Sequence, residues 1–258
     1  MTRLRPADAE KRQARNAGPD FLEALARGIA VIGAFNAERR QMSLSDVARA
    51  TDLPRATVRR SLHTLEQLGY LESDGRLFRL TPKVMSLAAA YLGSGNAAIL
   101  QQACDRLCAT LDEACSAAVL EGDNAMMIAH ASPPRYLASA PGAGFRVPAF
   151  CSALGRVLLA ATGREPAGIR ALTPKTVTDR RELKAILARV TKDGYALADQ
   201  EVELGFRSLA VPVRRFDDRV VAALNIGIRV ERATPKQMRD LFLPPLLQAA
   251  EELKDQVI

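Results

Sequence analysis

Histidine and paired cysteine are what this sequence most plainly lacks. Only His63 and His130 occur among 258 residues, and the four cysteines, Cys104, Cys108, Cys115 and Cys151, form no CxxC pair. A structural zinc site needs thiolates or imidazoles clustered at short spacing, so no metal is expected. Cys104 and Cys108 stand at i, i+4, a spacing that either holds metal or buries two small hydrophobes, the commoner use. No apolar run approaches ~18 residues, which argues against a transmembrane helix. The opening MTRLRPADAEKRQARNAG is basic but has no apolar centre, unlike a secretory leader. GxSxG, HExxH and P-loop motifs are missing too. Cys151 or Ser152 would act as a nucleophile only with His130 as its base, and no motif joins them. The chain is therefore predicted to be a cytoplasmic protein with reduced thiols, no cofactor and no catalytic activity.

What is present is basic charge. The net charge of +7 and the pI near 9.5 point to an acidic partner. An apolar content of 48% is ordinary for a globular protein, and the length suits one large or two ordinary domains. Residues 1–18 set five cations against two carboxylates and predict a mobile arm. A first helix follows, with Leu22, Leu25, Ile29, Ile32 and Phe35 spaced along one face. Ser43 or Ser45 caps a short second helix whose Leu44, Val47 and Ala48 face inward. Pro54 opens a third helix and Gly69 ends it. YLESDGRLFRLT predicts two strands around an Asp74-Gly75 turn.

The third helix carries the chemistry. Val58, Leu62, Leu65 and Gly69 share its inner face; Arg60 and His63 lie opposite, with Thr57 and Arg59 at the shoulders. A helix whose first turns present cations to solvent is the recognition helix of a helix-turn-helix, and arginine bonds two acceptors of guanine at once. Arg55, Thr57, Arg59, Arg60 and His63 are the candidate DNA contacts. Arg76 and Arg79 flank the hairpin, a wing, within reach of backbone phosphate. His63 is equally compatible with a plain surface position, and Arg40 and Arg49 with phosphate contact or bare surface charge. Three arginines on one helix are usually only a solvated face. Three short helices, the tight TDLPRAT link and a basic hairpin in this order make the winged helix-turn-helix the better reading.

PKVMSLAAAYL predicts a connecting helix, closed by GSGN at 93–96. Beyond it helices and strands mix without a βαβ repeat: a helix at 97–115, strands in SAAVLEG and AMMIAHAS, and a loop PPRYLASAPGAGFRVPAF. A helix in SALGRVLLAA and a charged helix near 180–193 follow, then strands FRSLAVPVRR and RVVAALNIGIRV and a helix at 235–256. The expected class is α+β, with an arm at 1–18, a winged head at 19–81, a linker helix at 82–96 and a sensor-like domain at 97–258.

LARGIAVIGAF, SLSDVARATDLPRATVRRSLHTLEQLGYL, LFRLTPKVMSLAAAYL, VPAFCSALGRVLLA and DGYALADQEVELGFRSLAVPV, in this order, resemble the IclR family of bacterial transcriptional regulators over nearly the whole chain. FCSALGRVLLA with GFRSLAVPV looks most like the branch governing breakdown of aromatic acids such as protocatechuate and 4-hydroxybenzoate. The resemblance implies a GAF-like second domain binding a small carboxylic acid effector. It also implies self-association as a dimer or dimer of dimers, double-stranded operator DNA as partner, and no membrane. Ligand contacts in the family come from the start of the SALGRVLLAA helix (Cys151, Ser152), from Ser208, and from the alternating Asn225 and Gly227. Relatives often carry cysteine at the position of Ser208 and serine at that of Asn225 or Gly227, a departure that bears on which ligand is bound. From the residues themselves, Ser152 caps a helix or touches ligand, Tyr136 offers a wall, and Arg135 and Arg146 are carboxylate partners or surface ion pairs. Arg207, within GFRS, is assigned to architecture. A constitutive DNA binder without effector, or an enzyme with a DNA-binding head, is the competing description.

Overall fold

A computed structural model describes residues 18, 20–36, 38–93, 95–136 and 142–257, Tyr136 by its backbone only. The expected arm, Gly18 apart, lies outside the described residues. Two compact units divide between Ala89 and Ala90.

The first unit begins with helix α1 (Glu23–Gly33), strand β1 (Gln41–Ser43) and helix α2 (Leu44–Thr51). Helix α3 (Arg55–Gln67) and strands β2 (Leu71–Ser73) and β3 (Leu77–Leu80) follow, then helix α4 (Val84–Leu92), within which the division falls. Ser43 caps α2 through a capping box: its Oγ accepts from the Asp46 N–H while the Asp46 carboxylate accepts from the Ser43 N–H. Those bonds favour the charged carboxylate and hold the Asp46 pKa below its ordinary value. Asp52 adopts a left-handed backbone at the end of α2, which turns the chain into Pro54 and α3. Gly69, with φ +76°, does the same after α3. Val31, Phe35, Val47, Val58, Leu62 and Leu71 meet in one core. Leu22, Leu25 and Ile29, expected on the packing face of α1, are at least 60% exposed instead. The later members of that face, Ile32 and Phe35, do reach the core, together with Val31 and Ala34, where the C-terminal end of α1 meets α3. A strand absent from the sequence reading, β1, pairs with β3 to make a three-stranded sheet in the order β1-β3-β2.

The second unit wraps helices around a six-stranded antiparallel sheet. Its elements are helix α5 (Gly95–Leu111), strands β4 (Ala114–Glu121), β5 (Asn124–Ala131) and β6 (Arg146–Pro148), and helices α6 (Ala153–Thr162) and α7 (Arg180–Asp193). Strands β7 (Ala196–Asp199), β8 (Phe206–Arg214) and β9 (Val220–Arg229) lead to helix α8 (Pro235–Gln237), a π-helical turn (Met238–Phe242) and helix α9 (Leu243–Glu252). Strand order is β6-β5-β4-β9-β8-β7. One sheet face packs Leu224, Ile226 and Leu209 on Leu100 and Leu107 of α5 and Leu246 of α9. The opposite face packs Ala118, Ala210 and Ala223 on Leu154 and Val157 of α6. Small residues on that face let α6 approach closely. Gly155 also lets the turn before α6 fold back against the helix: a Cβ there would lie 2.1 Å from the Ala149 Cα.

Strands β6 and β7 were not expected; both are short edge strands of three and four residues, too brief for a periodic signal. A β-bulge matters more. Pairing of β4 with β5 steps from Ala117↔Ala129 to Ala118↔Met127, leaving Ile128 as an extra residue on β5. Side chains alternate in a strand, so this one insertion turns His130 onto the same face as Met127. No helix among the described residues is long and apolar enough to cross a membrane.

Candidate functional sites: a cationic helix face and a lined chamber

In the first unit, α3 buries Val58, Leu62 and Leu65 and leaves Arg59, Arg60 and His63 exposed. Neither Arg59 nor Arg60 forms an ion pair with a described carboxylate, so both guanidinium groups stay available to an outside acceptor. Arg55 is exposed as well, and its Nη1 donates to Ser45 Oγ at 2.5 Å, tying the start of α3 to α2. Thr57 departs from expectation. Only 8% of it is exposed, because the first turn of α3 rolls it toward the core beside Val58. On the wing, the Asp74 carboxylate accepts from the Arg76 and Leu77 N–H groups, which fixes the turn around Gly75 and lowers its own pKa. Arg76 projects into solvent. Arg79 does not stand free: it faces Glu72 across β2 and β3 and donates to its carboxylate at 2.7 Å. Arg49 is likewise paired, with Asp46 at 3.5 Å.

In the second unit a chamber of about 710 Å³ opens between the sheet and α6. Ser152, Ser208, Asn225 and Gly227 all line it, from three separated stretches of sequence. The sheet explains the convergence: Ser208 pairs with Gly227 across β8 and β9, and Asn225 lies two residues along the same face. Ser152 caps α6, its Oγ accepting from the Gly155 N–H at 3.2 Å and donating to the Pro148 carbonyl at 2.8 Å. Ala153 and Leu154, also in the lining, are first-turn residues whose N–H groups have no acceptor within the helix. Met127, Phe145, Val147 and Ile228 supply apolar wall.

Four expected effector contacts fall elsewhere or change character. Arg135 lies outside the lining and donates to Asp112 at 2.5 Å and Glu113 at 3.2 Å. Cys151 is fully buried with its Sγ toward the Pro148 carbonyl, packed beside Phe150 and Leu183 rather than in the chamber. Burial and the neighbouring Glu201 carboxylate push its thiol up to about 12, which leaves it protonated and a poor nucleophile. Gly227 serves as a cradle: a Cβ there would meet the Phe206 ring at 2.5 Å, so the glycine makes room for an aromatic floor. The side chain of Tyr136 lies outside the described residues. Arg146 does line the chamber, but Glu121 holds its guanidinium, Nη2 to Oε1 at 3.0 Å, and the pairing lowers the Glu121 pKa. Arg207 is buried and donates to Asp199 at 2.9 Å, in keeping with its architectural assignment.

Ser116, His130, Phe206 and the rim pair Arg229–Glu203, 3.1 Å apart, also line the chamber and were not among the expected contacts. A polar residue breaking an apolar strand, as His130 does in AMMIAHA, was the available signal; the bulge that decides its direction leaves none.

Residues 24–75 match the IclR helix-turn-helix domain, and residues 90–255 match the C-terminal domain of IclR bacterial transcriptional regulators. The chain belongs to the IclR family. It is 42% identical to the Pca regulon regulatory protein of Pseudomonas putida, across 96% of this chain and 89% of that protein. The crystal structure of a protein from Rhodococcus sp. RHA1 matches at 37% identity with a TM-score of 0.75, covering 91% of this chain and 97% of that one. An IclR homologue from Microbacterium hydrocarbonoxydans, solved in complex with 4-hydroxybenzoate, matches at 25% identity with a TM-score of 0.72, covering 90% and 98%. As an IclR-family regulator, the protein uses its helix-turn-helix to bind DNA, and α3 with its outward arginines follows α2 within that matched domain.

Proposed function

We propose that this regulator senses a small aromatic carboxylic acid in the chamber and relays its presence to an operator held by the winged heads. The observation that carries the reading is the start of α6. There the free N–H groups of Ala153 and Leu154 and the positive end of the helix dipole border an otherwise apolar chamber, a setting suited to a carboxylate on a planar ring. The 4-hydroxybenzoate held by the Microbacterium homologue supports the same class of ligand.

In this reading residues 19–81 form the DNA-binding head, 82–96 the linker and 97–258 the effector domain of a cytoplasmic protein. Arg55, Arg59, Arg60 and His63 enter the major groove while Arg76 meets phosphate on the flank. Two heads, joined through α1 and α4, grip a pseudo-palindrome with half-sites ~10 bp apart. The exposed Leu22, Leu25, Ile29, Met85, Leu87 and Tyr91 supply the apolar surface such joining buries. Effector binding alters head spacing to the extent that it favours one arrangement over the other. No catalytic step is assigned: His130 hydrogen-bonds Ser116, and Cys151 lies outside the chamber.

The test is a melting-temperature titration of the full chain with benzoate and hydroxybenzoates, run beside operator gel shifts. Saturable stabilisation with a matching change in operator affinity is expected, since a ligand selective for the native state raises its melting point. No stabilisation by any monocyclic aromatic acid refutes the effector assignment.

A further inference from the structure

Two buried side-chain atoms among the described residues have no hydrogen-bond partner: His130 Nε2 and Asn225 Oδ1. Both residues line the chamber. Ser116 stands between them on the sheet, opposite His130 of β5 on one side and opposite Asn225 of β9 on the other. The three form a polar row across an otherwise apolar wall. Burying unpartnered polar atoms is costly, so a row of this kind calls for a ligand that completes it.

His130 is unusually well fixed. The bulge at Ile128 aims it into the chamber. On the free edge of β5, the Gln101 amide brackets its backbone, accepting from the His130 N–H at 3.0 Å and donating to the His130 carbonyl at 2.9 Å. Its Nδ1 lies 2.9 Å from Ser116 Oγ. Burial lowers the imidazole pKa, so the ring is neutral at physiological pH. In the tautomer whose Nδ1 accepts from the Ser116 hydroxyl, the ring proton sits on Nε2, an unpartnered donor in the chamber wall. Asn225 Oδ1 is an unpartnered acceptor in the same wall. A hydroxyl both accepts and donates, and so can partner both atoms; a carboxylate only accepts and leaves Asn225 Oδ1 without a donor.

We propose that His130, with Asn225 as its companion, recognises a ring hydroxyl of the effector and thereby selects hydroxylated aromatic acids over the unsubstituted acid. The inference rests on the aromatic-acid reading above and adds the group that discriminates within it. A site built to bond a hydroxyl disfavours the analogue lacking it, because the buried partners are then left unpaired.

The test is calorimetric titration of the full-length protein with 4-hydroxybenzoate, 3,4-dihydroxybenzoate and benzoate. Wild type is expected to bind the better hydroxylated acid about tenfold or more tightly than benzoate, a typical cost for one unsatisfied buried group. In His130→Phe that ratio should fall to within about threefold of unity, and His130→Gln, which keeps an amide near the Nε2 position, should recover part of it. Thermal melting checks that each variant is folded, and His130→Gln carries the comparison if His130→Phe is not. A ratio unchanged in the folded variants, or a wild type that prefers benzoate, overturns the role of His130 while leaving the aromatic-acid reading intact. No saturable binding by any of the three acids overturns both.

Discussion

Arginine is used in opposite ways on the outward face of α3 and around the chamber of the second unit. On the outward face of α3, Arg59 and Arg60 have no described carboxylate within ion-pair distance. In the second unit, Arg156, Arg207, Arg146 and Arg135 each have one or two. The extreme case is Arg156, 1% exposed, whose Nη1 and Nη2 lie 2.5 and 2.6 Å from the two oxygens of Glu201 while its Nε donates to the Phe150 carbonyl. That bidentate clamp ties α6 to the loop before β8 and sits behind the chamber as architecture. An arginine supplied with its own carboxylate organises the fold; one left without is available to a phosphate or a base. Sequence composition alone does not separate the two uses, but the contrast makes them separable by mutation.

The largest expected effect is at the clamp. Arg156→Ala leaves Glu201 buried without a counter-charge and should cost about 3–5 kcal/mol by chemical denaturation of the second unit. A loss below about 1 kcal/mol would mean that the pair is not buried as described.

Next come the free cations. Arg59→Ala and Arg60→Ala should each weaken operator binding by about 1–3 kcal/mol with little change in melting temperature. Arg79→Ala, whose side chain is engaged with Glu72, should cost well under 1 kcal/mol. Equal losses at all three positions would erase the distinction between paired and unpaired arginines. Operator affinity should also fall steeply with salt for the wild type, and less steeply once a phosphate-contacting arginine is removed.

A smaller change is expected in the chamber. Ser208→Leu fills space beside Asn225 and should raise the effector Kd roughly tenfold or more, by loss of a polar contact and of room. Calorimetry that finds wild-type affinity in this variant removes Ser208 from the binding surface.

The smallest effect is in pH. The folded pKa of His130 is lowered from 6.5 by burial, so the unfolded chain binds the proton more readily. The neutral ring's contribution is complete above pH 6.5 and is lost as pH falls through that value toward the lower folded pKa. Melting temperature should therefore drop on acidification from pH 7.5 to 5.5, and His130→Gln should flatten this part of the profile. An unchanged profile in His130→Gln would assign the acid sensitivity to other groups.

Much of the head was legible in advance because its elements carry local signals. The Ser43 cap, the Asp74-Gly75 turn and the Val58–Leu62–Leu65 stripe each depend on residues a few positions apart. The face of α1 was right at Ile32 and Phe35 but wrong at Leu22, Leu25 and Ile29, because only the C-terminal end of the helix packs against the core, with Val31 and Ala34. Ser152, Ser208 and Asn225 came together as expected because strand alternation and a helix cap fix where they point. His130 escaped notice as a chamber residue for the converse reason. One extra residue at Ile128 reverses the parity of the strand end, and nothing local announces it. Arg135 was misplaced because its partners, Asp112 and Glu113, are over twenty positions away along the chain.

The Phe206 ring resting where Gly227 has no side chain gives the pocket an adjustable floor. Trimming that phenyl to valine would deepen the hollow toward bicyclic inducers, whereas adding a methyl at the glycine would lift the ring and shrink it toward short aliphatic ones. A biosensor could thus be retuned in size from these two neighbours, leaving the hydroxyl-reading row and the operator-binding head as they are.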